Sequence, residues 1–450
     1  MSALPDGPGP LNPAAYYGPL FNVVEETSAF SDAPAPTVAL NAIINFAARY
    51  GNIGCLDLDN QCQSLRMFGI VIGPTVKGRK TSSAQLVGDL FEAVDLYSSS
   101  FVALAESSAL AGIQRLGSIA SGEGIIRPMY QGDERRLLLR LDSMNQFVKM
   151  AERNGNYARS VINRAFDSGV IDAGGWNPMI LNDAHLCILA HATAEDMRAA
   201  RTERVLGVET LARFIPIYSE VSKRQKPNFK GWPDDRREFL ARLILANVAA
   251  LTGGERVAPG APPLFHHAIH PEALALWDTL RRLPEAFPFE DTPARAYAAR
   301  LGHNGQRLAC LLAAMNGERV VRLGAVEAAT AWVDYACRSL DHVFGEQHHR
   351  AHRYRLEAVG LRMVERVQRV GVVSARELVQ WVARKGTVTS ATAYEAIRLM
   401  LCRGRLVESS DRTGQRGPKT IHLTTAPENS FPQAFPPQNR NDESSRTFHC

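Results

Sequence analysis

The chain has no uninterrupted run of about 18 uncharged apolar residues, so the sequence offers no membrane-spanning helix. Its opening, Met1-Ser-Ala-Leu-Pro-Asp, lacks both the basic start and the apolar core of a secretion signal, which makes the cytoplasm the expected address. Cysteine is sparse. The seven (Cys55, Cys62, Cys187, Cys310, Cys337, Cys402, Cys450) are scattered, odd in number and never spaced Cys-x-x-Cys; reduced thiols are expected, and no structural zinc site. Two histidine groups, His266/His267/His270 and His348/His349/His352, likewise come without convergent Cys, Asp or Glu in sequence. Large net charge is absent too, at +5, but its placement is uneven: 14 Lys/Arg face 6 Asp/Glu between residues 351 and 425. That basic end points to a polyanionic partner.

What is present is a soluble-type composition, 45% apolar and 22% charged, in 450 residues, enough for two or three domains with real cores. The most informative stretch is Leu65-Arg-Met-Phe-Gly-Ile-Val-Ile-Gly-Pro-Thr-Val-Lys-Gly-Arg-Lys-Thr-Ser-Ser83. The run 67–72 is short, apolar and turn-bounded, as in a buried strand, and from Ala84 the apolar positions recur at helical spacing. Strand, Gly-rich turn, helix is the order in which phosphate-binding loops are built. Gly73, Gly78, Arg79, Lys80, Thr81 and Ser82 would meet a phosphate with backbone N–H groups, positive charge and a helix N-terminus. The spacing carries one residue more than Gly-x4-Gly-Lys-Ser/Thr, and a basic strand-to-helix connection without a ligand is the competing reading.

Around this stretch, helices are expected over 19–30 and 36–50, and strands at Phe101-Val-Ala-Leu-Ala, Arg136 to Asp142, His185 to Thr193 and Phe214 to Tyr218. Alternating strands and helices from about 60 to 220 imply an α/β unit with a mostly parallel sheet, helices on both faces. Ligands in such sheets lie beyond the carboxyl ends of the strands, where Gly73, Asp142 and His191 fall. Asp142 is a candidate Mg²⁺ ligand or a simple helix cap; His191 a γ-phosphate sensor or a structural histidine; Glu123, in Ser121-Gly-Glu-Gly124, a carboxylate at a helix mouth; Arg213 a phosphate-contacting arginine or a surface ion pair. The expected division is a flexible lead (1–14), an α/β domain (15–222, with a helical lead-in to 60), a helical lid (223–350), a winged helix (351–425) and a disordered tail (426–450). In the winged helix, Ser374 and Glu377 form a capping box, and Arg412, Arg416 and Lys419 suit phosphate contacts with DNA, although such modules also bind proteins.

With Val71-Ile-Gly-Pro-Thr-Val-Lys-Gly-Arg-Lys80, Ser121-Gly-Glu-Gly124, Arg136-Leu-Leu-Leu, Arg153-Asn-Gly-Asn156, Ala165-Phe-Asp-Ser-Gly169, His185…Ala190-His191-Ala-Thr193, Ala212-Arg213-Phe214 and Gln306-Arg-Leu-Ala-Cys-Leu-Leu-Ala313 in one order, the chain resembles a bacterial and phage family of unknown function, often called YfjI-like. The resemblance runs from about Leu20 to Leu423. It implies a helicase-like P-loop ATPase followed by a helical lid and a winged helix with a Thr-Gly-x-Arg wing, here Thr413 to Arg416. Its further implications are ATP and Mg²⁺ as cofactors, Lys80 as the loop lysine, Arg213 reaching across a ring interface, and work on DNA in replication of a mobile element beside a primase. Two residues depart from the family pattern: Thr81 stands where glycine is usual, and Leu141-Asp142-Ser143 replaces the usual Glu-Ser-Glu. That second departure leaves open a DNA-binding initiation or regulatory protein that holds nucleotide without turning it over efficiently.

Overall fold

The computed structural model describes residues 7–425 except 59–60, 76–78, 103–109, 111–112, 118–120, 133, 145–146, 149–156, 174–178, 203–206, 220–230, 256, 258–260, 288, 290–292, 384–387, 389, 403–404 and 410–421. The expected tail, the Arg153 to Asn156 phrase and most of the strand expected at residues 101–105 lie outside them. The chain divides into two compact units, Met1–Gly345 and Glu346–Cys450.

The first unit is built on five parallel strands: β3 (Phe68–Ile72), β4 (Gln114–Leu116), β5 (Arg136–Leu141), β8 (His185–Ala192) and β9 (Phe214–Tyr218), in the spatial order β4-β5-β8-β3-β9. β3, β8 and β9 are buried at every residue, as a parallel sheet covered on both faces requires. Pro216 is tolerated because β9 is an edge strand, where a missing N–H costs no ladder bond. The register aligns Phe68 with Ile188 on one side and with Phe214 on the other, so β3 has a parallel neighbour on each flank. Gly69 is the close-packing point: an added Cβ would lie 3.1 Å from the Ile44 side chain.

Helix α1 (Pro19–Phe30) and helix α2 (Ala35–Tyr50) form as the apolar spacing predicts. α2 is buried almost all round, which is the signature of a helix enclosed by the core rather than lying on it. The next helix, α3 (Lys80–Val102), is longer than expected and takes in Phe101 and Val102; the second strand is Gln114–Leu116 instead. Phe101 and Val102 continue the helical stretch from Val94 without a breaker, and a short apolar run cannot by itself tell helix from strand.

Helices α4 (Gly122–Gln131), α5 (Ala158–Asp167), α6 (Ala194–Thr202) and α7 (Gly207–Leu211) make the connections up to β9, and a small hairpin of β6 (Ile171–Ala173) and β7 (Met179–Leu181) precedes β8. Helices α8 (Asp234–Thr252), α9 (Leu274–Ala286), α10 (Pro293–Ala298), α11 (Leu301–Met315) and the start of α12 (Leu323–Val370) follow. They were expected as a separate lid. They share one continuous hydrophobic core with the sheet. Tyr335 donates its hydroxyl to Tyr218 O at 2.6 Å and Ser339 Oγ accepts from Tyr218 N at 3.0 Å, so α12 is bonded to the edge strand itself. Two strand pairs interrupt the helical run. β10 (Phe265–His266) joins β1 (Gly54–Leu58) and β2 (Gln61–Ser64) in the order β10-β1-β2, and β11 (Ala268–Ile269) pairs with β12 (Val320–Val321).

The second unit has its own core, including Leu356, Met363, Val367, Leu378, Val382 and Met400. It contains the end of α12, α13 (Ala375–Ala383), α14 (Ser390–Cys402) and an antiparallel sheet of β13 (Val373–Ser374), β14 (Leu406–Ser409) and β15 (His422–Thr425) in the order β13-β15-β14. The capping box is present: Ser374 Oγ accepts from Glu377 N at 3.2 Å while Glu377 accepts from Ser374 N at 3.2 Å. Arg412, Arg416 and Lys419 lie outside the described residues. No described helix is long and apolar enough to cross a membrane.

Candidate functional site

β3 is where the strand order reverses: the chain leaves it for the far edge, returns as β8 on one flank and ends as β9 on the other. The crevice beyond the carboxyl ends of β3 and β8 is therefore the topological switch point of the sheet. Gly73 N donates to Ala192 O at 3.1 Å, which carries the β3–β8 ladder one step past the strand end. Lys80, the first residue of α3, turns back into this crevice. Its buried Nζ donates to Gly73 O at 2.6 Å and to Ala192 O at 2.9 Å, leaving one of three ammonium protons for another acceptor. Burial lowers the Lys80 pKa from its ordinary value, while Asp196 and Glu195, at the start of α6, pull it back up.

Arg79 immediately before it has φ of 46°, the left-handed region that a non-glycine residue enters at a cost of about 1–2 kcal/mol. Its carbonyl accepts from Ser83 N at 3.0 Å and from Ser83 Oγ at 2.9 Å, which closes the first turn of α3. Thr81 is exposed and Ser82 half-buried on that turn. Gly78 lies outside the described residues.

Two more expected residues lie at this edge of the sheet. His191 sits on β8, buried, one residue before the carbonyl of Ala192 that receives the lysine. Its Nδ1 is 3.9 Å from Oδ1 of Asp142, which follows β5 and is exposed. Its Nε2 is buried and has no hydrogen-bond partner among the described residues. Burial brings the His191 pKa down to about 4, against a smaller upward pull from Asp142 and with a further downward push from Lys80. A neutral imidazole with an orphaned ring nitrogen, a lysine ammonium and an exposed carboxylate thus meet at one strand edge.

Glu123 shares that edge but lies at its far end, because α4 follows β4 and β4 is three strands from β3, about 14 Å along the sheet. Ser121 caps α4 by accepting from Gly124 N at 3.3 Å, and Glu123 is ion-paired with Arg127.

Arg213 stands apart from Lys80, His191 and Asp142 in this chain. It precedes β9, so it lies at the amino edge of the sheet, roughly 15 Å from the loop edge by strand length. It is buried and ion-paired with Asp167, which also receives Arg300 Nη1 at 2.7 Å; together the two guanidiniums hold the Asp167 carboxyl below its ordinary range. This commitment explains the phrase Ala165-Phe-Asp-Ser-Gly169 in structural terms. Gly169 has φ of 74°, and a Cβ there would strike the guanidinium of Arg66.

Sequence reasoning missed Asp196 beside the lysine; Thr193 and Asp196 form a reciprocal cap at the start of α6, Thr193 Oγ1 accepting from Asp196 N at 3.0 Å, and that Thr-x-x-Asp spacing was its signal. The cysteine expectation is corrected as well. Cys55 and Cys62 form a disulfide across a diagonal of the β1–β2 hairpin, whose register sets Cys55 opposite Ser64 and Cys62 opposite Asp57 and leaves the two cysteine Cα atoms 5.9 Å apart. His266, expected to stand alone, converges on the same pair. His267 is instead structural, with Nε2 3.0 Å from the Tyr50 hydroxyl and Nδ1 3.0 Å from Arg319 O. The side chains of His348, His349 and His352 lie outside the described ones. Neither the family models nor the curated proteins with which the chain was compared give a match.

Proposed function

We propose that the first unit binds a nucleoside triphosphate, ATP with Mg²⁺, at the Gly73–Lys80 junction and that the chain is a DNA-associated P-loop ATPase, helicase- or loader-like, of a mobile element. The observation that carries this reading is the Lys80 ammonium held at the carboxyl ends of β3 and β8, beside a buried His191 whose Nε2 has no partner. An orphaned buried polar atom costs on the order of 1–3 kcal/mol, and a phosphate oxygen reached directly or through water would satisfy it. Mg²⁺ would be held by Thr81 or Ser82 and by Asp142, and it would neutralise charge on the phosphates. Lys80 would bind the phosphates with its third proton, and the N-terminus of α3 would add its dipole. DNA contact is assigned to the basic second unit, with Arg412, Arg416 and Lys419; a ring and a primase partner rest on the resemblance alone.

ATP hydrolysis by the full chain, with and without single-stranded and duplex DNA, tests this. Lys80→Ala should lower turnover by about 10²-fold or more, as expected for losing a preorganised charge at the transferring phosphate. Equal rates in both proteins would sink the reading. A second reading is favoured by one observation: Asp142 is the single acid at the end of β5, and its carboxylate is 68% exposed rather than held. In that reading nucleotide is bound and hardly turned over. Calorimetry with ATP and Mg²⁺ then shows tight binding that Lys80→Ala abolishes, in the absence of measurable hydrolysis.

A further inference from the structure

β10, β1 and β2 form a sheet whose one face carries four side chains able to build a metal site. Cys55 and Asp57 are two apart on β1 and so face the same way. Cys62 lies directly opposite Asp57 on β2, and His266 directly opposite Cys55 on β10. The two sulfurs and a His266 ring nitrogen all lie within 4.8 Å of one another. Asp57 Oδ2 is 2.8 Å from His266 Nδ1, so the carboxylate orients the ring and leaves Nε2 as the nitrogen available to a cation. A carboxylate behind a histidine in this way is the usual support of a metal-bound imidazole. Cys62, His266 and Asp57 are exposed, and the cysteines line a cavity of about 660 Å³ that also reaches Arg66, Asp167 and Asp183. A cation therefore has both donors and an entry path.

We infer that the reduced Cys55/Cys62 pair and His266 form a site for a thiophilic divalent cation, Zn²⁺ by donor set, with Asp57 as the positioning carboxylate and solvent in the fourth position. Two thiolates and one imidazole are soft and borderline donors that select Zn²⁺ over Mg²⁺ or Ca²⁺. The site is thus different in kind and in place from the Mg²⁺ position at Asp142. The disulfide and the metal are mutually exclusive. A phosphine reductant takes the disulfide to two thiols, water supplying two protons and the oxygen of the phosphine oxide. Metal binding then releases the two thiol protons.

Co²⁺ as a spectroscopic probe, with Zn²⁺ as competitor, tests this on the full chain before and after phosphine reduction and removal of the reductant. The reduced protein should take up one Co²⁺ with a thiolate-to-metal charge-transfer band that Zn²⁺ abolishes, and the oxidised protein should show no such band. Cys62→Ser should lose the band. His266→Gln and Asp57→Asn, both exposed positions, should keep the fold by circular dichroism and weaken binding, about 10- to 100-fold for Asp57→Asn. Absence of the band in reduced wild type overturns the inference. So does a band of equal strength before and after reduction, or one undiminished in Cys62→Ser, since the remaining cysteines would then be its source.

Discussion

Three buried histidines set the behaviour of the first unit in acid. Burial lowers the pKa of His185 to about 3, with a further push from Arg66, and those of His191 and His267 to about 4. In the unfolded chain each titrates near 6.5, so between about pH 6.5 and 4 unfolding takes up protons and stability falls as pH falls. The contribution is fully present above the unfolded pKa. From pH 7.5 to 5.5 the loss should be on the order of 4 kcal/mol, shared among the three. Urea unfolding at the two pH values measures it, and His191→Gln should remove about a third of the difference; a pH-independent midpoint would count against neutral burial. At this scale the sequence named Gly73, Asp142 and His191 by their strand-end positions and Lys80 by its place in the Gly-rich turn before a helix. It left Arg213 between a phosphate contact and an ion pair, because the Asp167 that pairs with it lies 46 residues away in the chain.

Among the elements, α2 and α3 are pinned by one ion pair. Arg49, wholly buried, donates Nε and Nη2 to the two oxygens of Asp95, each at 2.7 Å, while its guanidinium lies 4.9 Å from the Phe91 ring centre. Burial lowers the Arg49 pKa and the Asp95 pairing opposes that shift. Asp95→Ala would leave a charge in the core without its partner and should cost about 3–5 kcal/mol. Denaturant titration of the variant checks this, and a loss under about 1 kcal/mol would show that Arg49 finds other acceptors. Because α3 starts with Lys80, the same variant should also weaken the ATP binding proposed for that junction, as calorimetry would read. The elements were largely legible where periodicity is long, as in α1, α2 and β8. They were misread at Phe101, where three or four apolar residues carry no period of their own. The strands β1 and β2, neighbours in the chain, were missed because each is short and neither carries a long apolar run, and β10 because its partner β1 lies about 210 residues away.

For the whole molecule, the sequence suggested a lid apart from the α/β domain, since the pattern turns helical after residue 223. Pattern reports local structure and not which helices share a core; here Tyr335 and Ser339 bond to β9 and one core results. In the second unit the Ser374 cap and the β14–β15 strand pair form as the sequence suggests, because those signals are local. If it is the DNA-binding part, affinity for duplex DNA should fall steeply with salt, and Arg412→Ala with Arg416→Ala should reduce the slope of log K against log salt by about 2. Fluorescence anisotropy at several salt concentrations measures that, and salt-insensitive binding would point to a protein partner instead.

The β10–β1 pairing has one more consequence. Asp57 and His266 are 209 residues apart, and holding the ends of so long a segment together costs on the order of 5 kcal/mol in chain entropy. Two paired residues do not supply that, so the pairing exists only when the sheet and the helices between its ends have already assembled. The four-residue face on these strands is therefore a signature of the finished unit: no fragment ending before residue 265 can display it.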